Sequence, residues 1–315
     1  MFVQIKSIQD LTSNIRSYEL VDQNGGDLPA FSAGSHIDVV LSNGLIRQYS
    51  IANCYLDKKR YLIGVLKDDS SRGGSSYIHH NFKEGDVIEI NQPRNLFPVH
   101  ENTNKAVLFA GGIGITPILS MAYFLKSENI SFDLYYFNRS QESIAFKDIL
   151  QNEFSDQIHF HIENDPQQHL NVNEILNQVE INKHLYVCGP NGFMDFIFDS
   201  ALKNGWQHEH LHKEYFSADP MIDIEDNTEF SIKIASTGQL ISVCADESVA
   251  NALDKNGISI PLSCEQGICG SCLTNVLEGE PEHRDMFLTD EEHASNKLFT
   301  PCCSRSKTKI LVLDL

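Results

Sequence analysis

The first hundred residues alternate apolar and polar positions in short runs that are separated by turn-forming residues. Four of these runs, in chain order, are SHIDVVLS, LIRQYSIAN, RYLIGVLK and DVIEI. Alternation with a period of two is typical of strands with one buried face, and turns at this spacing are typical of antiparallel sheets. The pattern therefore predicts an antiparallel β-barrel domain over residues 1–102.

Between residues 103 and 218 the pattern changes to apolar strand-like runs that alternate with helix-like stretches. The apolar runs are AVLFA, FDLYYF, QIHFHI and HLYVCG. Helices are expected near residues 117–127, 144–152, 172–178 and 192–204. Strands that alternate with helices predict an α/β domain with a parallel sheet covered on both faces.

One stretch of this region, residues 106–125, carries no charge and is long enough to cross a bilayer. Three glycines and a proline interrupt it, and β-branched and aromatic residues lie on either side. This arrangement favours a buried strand, a glycine turn and a buried helix over a membrane span. The N-terminus lacks a basic segment followed by an apolar one, so we expect no signal peptide and a cytoplasmic protein.

The last part of the chain has a different composition from the rest. Residues 219–229 contain a proline, five acidic residues and little apolar content, which predicts an extended linker. Residues 230–315 form a compact pattern with strands at FSIKIAS and QLISVCA, a helix at ESVANALDKNG and a closing strand at KILVLDL. A third, smaller domain is therefore expected after the linker.

Charge limits the classes of partner. The 315 residues carry a net charge of −19, from 24 basic and 43 acidic residues. Such a surface repels phosphate backbones and anionic lipids, so we expect no nucleic-acid partner and no membrane partner. A basic patch on another protein is the favoured binding surface.

Three of the eight cysteines fall within nine residues, in the stretch CEQGICGSC. The spacing is Cys264-x4-Cys269-x2-Cys272, and a further cysteine follows at Cys302. This is the plant-type spacing of a 2Fe–2S cluster, in which four thiolates hold two irons. The cysteine pattern therefore predicts an iron–sulfur centre in the last domain.

Alternatives to this ligand set are open at two points. Structural zinc is disfavoured, because it prefers two short-spaced cysteine pairs and the second half here offers adjacent Cys302 and Cys303. Cys303 competes with Cys302 as the fourth ligand, although the interval from Cys272 to Cys302 matches the usual ferredoxin spacing. Cys54 and Cys244 lie in strand-like runs and are expected to be small core residues.

A glycine turn follows the first strand of the α/β region. Gly111, Gly112 and Gly114 lie between AVLFA and a helix that begins near Pro117. Glycines in this position let the backbone approach a pyrophosphate, whose charge faces the helix N-terminus. The turn predicts a dinucleotide site, although the motif is not a strict G-x-G-x-x-G.

A later strand of the same region ends in Cys188-Gly189-Pro190. Ligands bind at the carboxyl edge of a parallel sheet, where this thiol would border a nicotinamide ring and the glycine would make room for it. The residues leave the choice between NAD and its 2′-phosphorylated form open. Arg139 favours the phosphate, and Glu142 lies further on.

The strand RQYS offers groups that suit a flavin. Alternation places Arg47 and Tyr49 on one face and Gln48 and Ser50 on the other. Arg47 would contact the flavin phosphate, Tyr49 would pack against the flavin ring, and Ser50 would lie near the reactive ring nitrogen. The loop at residues 72–75, RGGS, would add backbone N–H groups and a hydroxyl to a phosphate cradle.

Taken together and in order, RQYS, GGS, GGIGITP, CGP and C-x4-C-x2-C resemble the phthalate dioxygenase reductase family over all 315 residues. The resemblance implies a multidomain fold with a flavin-binding barrel, a nicotinamide domain and a C-terminal β-grasp ferredoxin domain. It implies FMN, NADH and a 2Fe–2S cluster. It also implies that this monomeric oxidoreductase passes electrons to a Rieske-type oxygenase, such as one that O-demethylates vanillate.

The resemblance further implies the site residues. The FMN contacts are Arg47, Gln48, Tyr49, Ser50, Gly64, Val65, Leu66, Gly73, Gly74, Ser75, Thr116 and Phe216. The NAD contacts are Gly111, Gly112, Gly114, Ile115, Asn138, Arg139, Cys188, Gly189 and Pro190. The catalytic residues are Ser50, Thr116 and Cys188. The cluster ligands are Cys264 and Cys269 on one iron, and Cys272 and Cys302 on the other.

Two other functions fit part of this pattern. One is a stand-alone reductase of small acceptors such as quinones or ferric chelates, and the other is a redox-sensing regulator that uses both cofactors as switches. His208, His210 and His212 alternate and would share one face of a strand. A metal site there is disfavoured, because no carboxylate that would orient the imidazoles is evident.

Overall fold

A computed structural model describes residues 1–68, 73–216 and 227–315 of the chain. The chain divides into two compact units, Met1–Tyr215 and Phe216–Leu315. Arg72 of the RGGS loop and most of the predicted linker, residues 219–226, lie outside the described residues.

An antiparallel sheet occupies the first part of the first unit. Its strands are β1 (Phe2–Asp10), β2 (Ile15–Val21), β3 (Ser35–Val40), β4 (Ile46–Ser50), β5 (Arg60–Leu66), β6 (Val87–Ile90) and β7 (Arg94–Asn95), and the helix α1 is Gly74–Asn81. The strand order is β4-β3-β6-β1-β2-β5, with β7 paired to β3. A bridge between Ile51 and Ile63 joins the chain beyond β4 to β5, so the sheet curls towards closure. The predicted barrel is confirmed.

The second part of this unit is a five-stranded sheet with helices on both faces. Its strands are β8 (Lys105–Gly111), β9 (Ser131–Asn138), β10 (Ile158–Ile162), β11 (Lys183–Cys188) and β12 (Leu211–Glu214). Its helices are α2 (Ile115–Ser127), α3 (Lys147–Glu153), α4 (Val172–Leu176) and α5 (Asn191–Lys203). The order is β10-β9-β8-β11-β12, and every pairing is parallel.

Alternation along β8 shows why both faces are covered. Ala106 and Leu108 belong to one buried cluster together with residues of α2, whereas Val107 and Phe109 belong to another with residues of α4 and α5. In the sheet, β9 lies next to β8 on one side and β11 lies next to it on the other side. The carboxyl ends of β8 and β11 therefore flank the point where the strand order reverses, which is the usual ligand crevice of such sheets.

The second unit contains a small mixed sheet. Its elements are β13 (Phe230–Ile234), β14 (Leu240–Val243), α6 (Val249–Lys255), β15 (Thr274–Glu278), β16 (Pro281–Glu282), α7 (Asp290–Ser295), β17 (Leu298–Phe299), β18 (Arg305–Ser306) and β19 (Ile310–Leu313). The order is β14-β13-β19-β15-β17, with β13 and β19 parallel. The helix α6 shares a buried cluster with this sheet. This is the predicted β-grasp arrangement.

Several local expectations are corrected. Cys244 is exposed just beyond β14, and Cys54 is half-buried outside any strand, so neither is a core residue. His208 and His210 lie in a single 3-10 turn and only His212 lies in a strand, so the three do not share a strand face. Within the described ranges no helix has the length and apolar character needed to cross a membrane.

Candidate functional site

The cysteine loop lies between α6 and β15. Cys264, Cys269 and Cys272 are buried and Cys302 is half-buried. The Cys264 thiol hydrogen-bonds to Cys269, which lowers the pKa of Cys269 and raises that of Cys264. The Cys302 thiol likewise hydrogen-bonds to Cys272, and this contact lowers the pKa of Cys272. The four sulfurs thus face one another as two pairs.

The loop backbone turns its amides towards the sulfurs. The N–H of Gln266 donates to Sγ of Cys264 at 3.4 Å, and the N–H of Ser271 donates to Sγ of Cys269 at 3.5 Å. Gly270, with a φ of 65°, permits this path, and a Cβ there would lie 2.3 Å from the ring of Phe287. Thiol pairs with amides aimed at sulfur suit an anionic iron–sulfur cluster.

Cys303 has different surroundings. The Cys302 thiol also contacts it, but its Sγ lies 3.4 Å from Oγ1 of Thr300 and 3.8 Å from Oγ of Ser304. The Cys303 sulfur therefore lies next to hydroxyl groups, whereas the Cys302 thiol hydrogen-bonds to Cys272.

The RQYS strand lies at the edge of the barrel sheet, where it pairs with β3. The side chain of Arg47 lies so close to the start of α1 that a Cβ on Gly74 would be 2.5 Å from its Nε. Gly73 precedes this helix with a φ of 82°. A guanidinium beside the N-terminus of a helix suits a phosphate. Tyr49 packs against the barrel core, and burial raises its pKa.

The opposite face of this strand is part of a buried polar network. Gln48 donates to Oδ1 of Asp38 at 3.1 Å, and Arg94 donates to Oδ2 of the same carboxylate at 2.8 Å. Ser50 is buried and pairs across the strands with His36, whose pKa burial lowers to about 4. These contacts fix the position of RQYS on the barrel.

The barrel and the parallel sheet meet through a glycine. A Cβ on Gly64 of β5 would lie 2.8 Å from Cγ2 of Thr116 and 3.2 Å from Ile113. Thr116 is buried and donates from Oγ1 to the carbonyl of Ile113 at 3.0 Å. The neighbouring residues Val65 and Leu66 pack into the clusters on either side of this contact. The predicted flavin residues of β5 and α2 are therefore adjacent.

The two predicted nucleotide turns pack against each other backbone to backbone. A Cβ on Gly114 would lie 2.1 Å from the carbonyl oxygen of Cys188 and 2.7 Å from the nitrogen of Gly189. A Cβ on Gly111 would lie 3.1 Å from Cδ of Pro190. Only glycine permits this approach, so the two turns form one continuous edge. Ile115, the first residue of α2, is fully buried beneath it.

The same edge carries a buried polar group that the sequence interpretation missed. Glu214 ends β12, and its backbone carbonyl accepts from Sγ of Cys188 at 3.5 Å. Its Oε2 and both amide atoms of Asn138 are buried without a hydrogen-bond partner among the described residues. Burial raises the pKa of Glu214 to about 8 and that of Cys188 well above its usual value. The edge thus offers the amide of Asn138 and one carboxyl oxygen of Glu214 as polar groups without partners in the described part of the chain.

A cavity of about 520 Å³ opens at the end of β9 and β10. Its aromatic lining includes Phe137, His161 and Phe193, with ring centroids 4.5 Å apart for Phe137 and His161 and 5.1 Å apart for Phe137 and Phe193. The exposed Arg139 follows β9 at the same edge. The remaining predicted residue, Phe216, is 39% exposed and is the last one described before residue 217.

Comparisons with known proteins agree with this organisation. Residues 108–199 match the oxidoreductase NAD-binding domain, and residues 232–307 match the 2Fe-2S iron-sulfur cluster binding domain. The chain is 56% identical over 315 residues to vanillate O-demethylase oxidoreductase of Acinetobacter baylyi, covering 100% of this chain and 99% of that protein. It is 36% identical over 311 residues to the carnitine monooxygenase reductase subunit of Acinetobacter baumannii, covering 99% and 96%.

The solved structure of phthalate dioxygenase reductase superposes with a TM-score of 0.78 at 36% identity, covering 100% of this chain and 98% of that one. The chain belongs to the phthalate dioxygenase reductase family. It is therefore an NADH-dependent oxidoreductase of the class that supplies oxygenases, with FMN and a 2Fe–2S cluster as cofactors. The sequence-based predictions of family, fold class, enzyme class and cofactors are confirmed.

Proposed function

We propose that this chain is the reductase component of a Rieske-type oxygenase that removes a methyl group from an aromatic ether of the vanillate class. The observation that carries the proposal is the 56% identity to a vanillate O-demethylase oxidoreductase over the whole chain, against 36% to the reductase subunit of a carnitine monooxygenase. We further propose that it acts as a cytoplasmic monomer with domains at 1–102, 103–218 and 230–315 joined by the linker.

FMN is assigned to the barrel side of the first unit. Arg47 with the turn Gly73-Gly74-Ser75 would hold the phosphate, and the tight approach of Arg47 to Gly74 supports this. Tyr49 and Ser50, which lie on opposite faces of β4, are assigned to the ring by the family resemblance, with residues 64–66 and Thr116 on the side of the parallel sheet. Phe216 is proposed as an aromatic neighbour of the ring by family resemblance alone.

NADH is assigned to the carboxyl edge of the parallel sheet. Gly111, Gly112 and Gly114 would receive the pyrophosphate at the start of α2. The protonated carboxyl of Glu214 would meet the polar end of the nicotinamide beside Cys188. The amide of Asn138, which has no partner among the described residues, lies three strands away at the end of β9 and would meet another part of the dinucleotide. The cavity beyond β9 suits the adenine ring, because the aromatic rings of Phe137, Phe193 and Phe196 form part of its lining.

The cluster is assigned to the second unit, with Cys264 and Cys269 on one iron and Cys272 and Cys302 on the other. The thiol pairing described above supports this assignment over one that uses Cys303. FMN when bound accepts the hydride pair and the cluster carries single electrons, so the residues of this chain set distance, orientation and local charge.

Glu214 holds its proton at neutral pH, because burial disfavours its charged form.

Reconstitution with purified oxygenase components tests the proposal. The chain is mixed with NADH, vanillate and the oxygenase component of a vanillate demethylase, and product formation is measured against NADH consumed. We expect tight coupling with this component and weak coupling with a carnitine-type component at equal concentration. Equal coupling to both would contradict the substrate class. Rapid quinone reduction without coupling to any oxygenase would indicate a stand-alone reductase.

A further inference from the structure

A buried carboxylate lies between the two cysteine-bearing segments of the second unit. The side chain of Asp285 is fully buried. A Cβ on Gly267, in the cysteine loop, would lie 2.9 Å from Cα of Asp285 and 2.5 Å from Sγ of Cys303. The backbone N–H of Met286 donates to the carbonyl of Gly267 at 3.0 Å. Asp285 is therefore packed against the loop that carries three of the proposed cluster ligands and lies beside the segment that carries the fourth.

Neutral donors hold the carboxylate of Asp285 in one orientation. It accepts hydrogen bonds from the N–H of Leu288 at 2.8 Å, from Oγ1 of Thr300 at 3.2 Å and from Oγ of Ser304 at 3.4 Å. Oγ1 of Thr300 also lies 3.4 Å from Sγ of Cys303, so this hydroxyl joins the carboxylate to the neighbour of the fourth proposed ligand. Contacts of this kind, one step removed from the ligands, orient the ligands and tune the metal.

The carboxylate is charged at neutral pH. Burial alone would raise the pKa of Asp285, because it disfavours the charged form. The hydrogen bonds from Leu288, His293 and Thr300 outweigh burial and hold the pKa below its ordinary value. The protein therefore keeps an ionised group in a buried position beside the cysteine loop.

The groups that face Asp285 leave this charge in place. Nε2 of His293 lies 3.3 Å from Oδ2 of Asp285, and its ring stacks on that of His283 with centroids 4.4 Å apart. Burial, together with the neighbouring His293, lowers the pKa of His283, so that ring is neutral. The guanidinium of Arg284 lies 2.6 Å from Oε1 of Glu282 and pairs with that carboxylate instead. At a pH where imidazoles are neutral, Asp285 therefore keeps a full negative charge.

We propose that Asp285 is a positioning residue that sets the reduction potential of the cluster, through the fixed negative charge that it holds beside the cysteine ligands. Reduction adds one electron, supplied by the reduced flavin, and hence one negative charge, with no bond formed or broken. A buried charge of the same sign opposes this addition more strongly than an exposed one, because water and salt screen the exposed charge. The charge of Asp285 therefore makes the cluster harder to reduce.

Redox titration of the holoenzyme at pH 8 tests this role, with the reduced cluster followed by electron paramagnetic resonance. We expect D285N, which removes the charge and keeps the shape of the side chain, to raise the potential by about 59 mV, a tenfold change in the reduction equilibrium. T300V removes one donor and keeps the charge, so it should lower the potential. The matched control is E291Q, since Glu291 is an exposed carboxylate of α7 whose loss should give a much smaller shift.

A D285N shift no larger than that of E291Q would overturn the proposal, and so would a T300V shift to higher potential. If D285N does not retain its cluster, the sign of the T300V shift decides, because a merely structural role would not make the cluster harder to reduce when one donor is lost.

Because the role of Asp285 rests on the proposed cluster assignment, iron and sulfide per chain are measured first. A wild type without two irons per chain would contradict the cluster assignment and this role together. Intact iron in every variant, with equal potentials, would remove only the role of Asp285.

Discussion

At the scale of single residues, Cys302 and Cys303 are neighbours in sequence with different tasks. The thiol of Cys302 is matched with Cys272, whereas that of Cys303 lies against the Thr300 hydroxyl. We expect C302S to lose the visible absorbance of the cluster and C303S to keep it, since only the first removes a ligand. The measurement is iron and sulfide per chain with the visible spectrum. The reverse pattern would assign the fourth ligand to Cys303.

The carboxyl of Glu214 gives a pH dependence of stability. Its pKa is raised to about 8 from an ordinary 4.5, so the folded state binds more protons than the unfolded state between these values. The stability that this group contributes is complete below about pH 4.5 and is lost as pH rises through 8.

The E214Q variant should therefore gain stability over the wild type as pH rises from 5 to 9, on the order of a few kcal/mol at the upper end. Denaturant unfolding followed by flavin fluorescence measures the difference. The matched control is E209Q, which changes an exposed carboxylate in the preceding turn and should give a much smaller trend. A difference between E214Q and wild type that does not vary with pH would contradict the assignment.

Residues differ in how far the sequence reveals them. The cysteine ligands could be predicted from their spacing in the sequence, because one tight loop supplies three sulfurs to the same cluster. The buried state of Glu214 and the exposure of Cys244 depend on which strands lie beside them, and this is a tertiary property. The sequence does show an acidic residue, Glu214, at the end of a strand. This pattern does not tell a buried carboxyl group from an exposed one.

At the scale of elements, the contact between the two nucleotide turns is the tightest feature of the sheet edge. The G114A variant would force a methyl group to within 2.1 Å of the carbonyl oxygen of Cys188, and neither backbone can move aside cheaply. We expect a loss of stability of about 1–3 kcal/mol and a raised KM for NADH. The control is G192A in α5, where a Cβ meets nothing within 4 Å and stability should be kept or slightly improved.

Thermal unfolding and NADH-dependent dye reduction measure both variants. Wild-type behaviour of G114A would show that the turns can separate without cost, contrary to the tight packing of β8 against β11. A loss in G192A equal to that in G114A would point to a general effect of alanine at glycine positions.

Elements with strong periodicity were predictable, and short ones were not. The long strands and helices of the parallel sheet follow the 2.0 and 3.6 periods, because each buries a full face. The two-residue strands β7, β16, β17 and β18 contain too few positions for any period. The turn at 208–210 was misread as a strand, because two of the three alternating histidines, His210 of the turn and His212 of β12, both contact His184 of β11 although only His212 is in a strand.

At the scale of the whole molecule, the chain separates two kinds of chemistry. The first unit holds the proposed flavin and nucleotide sites, and the second holds the cysteine loop over its own buried cluster. Because the second unit has a separate core, a change in its cysteine loop should leave the chemistry of the first unit intact. The order of units along the chain was predictable from composition, whereas their cores needed the pairing of distant strands such as β13 and β19.

The account rests on the cluster as the exit for electrons, and the C269S variant tests this most directly. Steady-state rates with NADH are measured with ferricyanide, which the flavin site can reduce, and with cytochrome c or the oxygenase, which require the cluster. We predict near wild-type ferricyanide reduction together with background rates for cytochrome c and the oxygenase. Full oxygenase reduction by a C269S protein shown to lack its cluster would contradict the account.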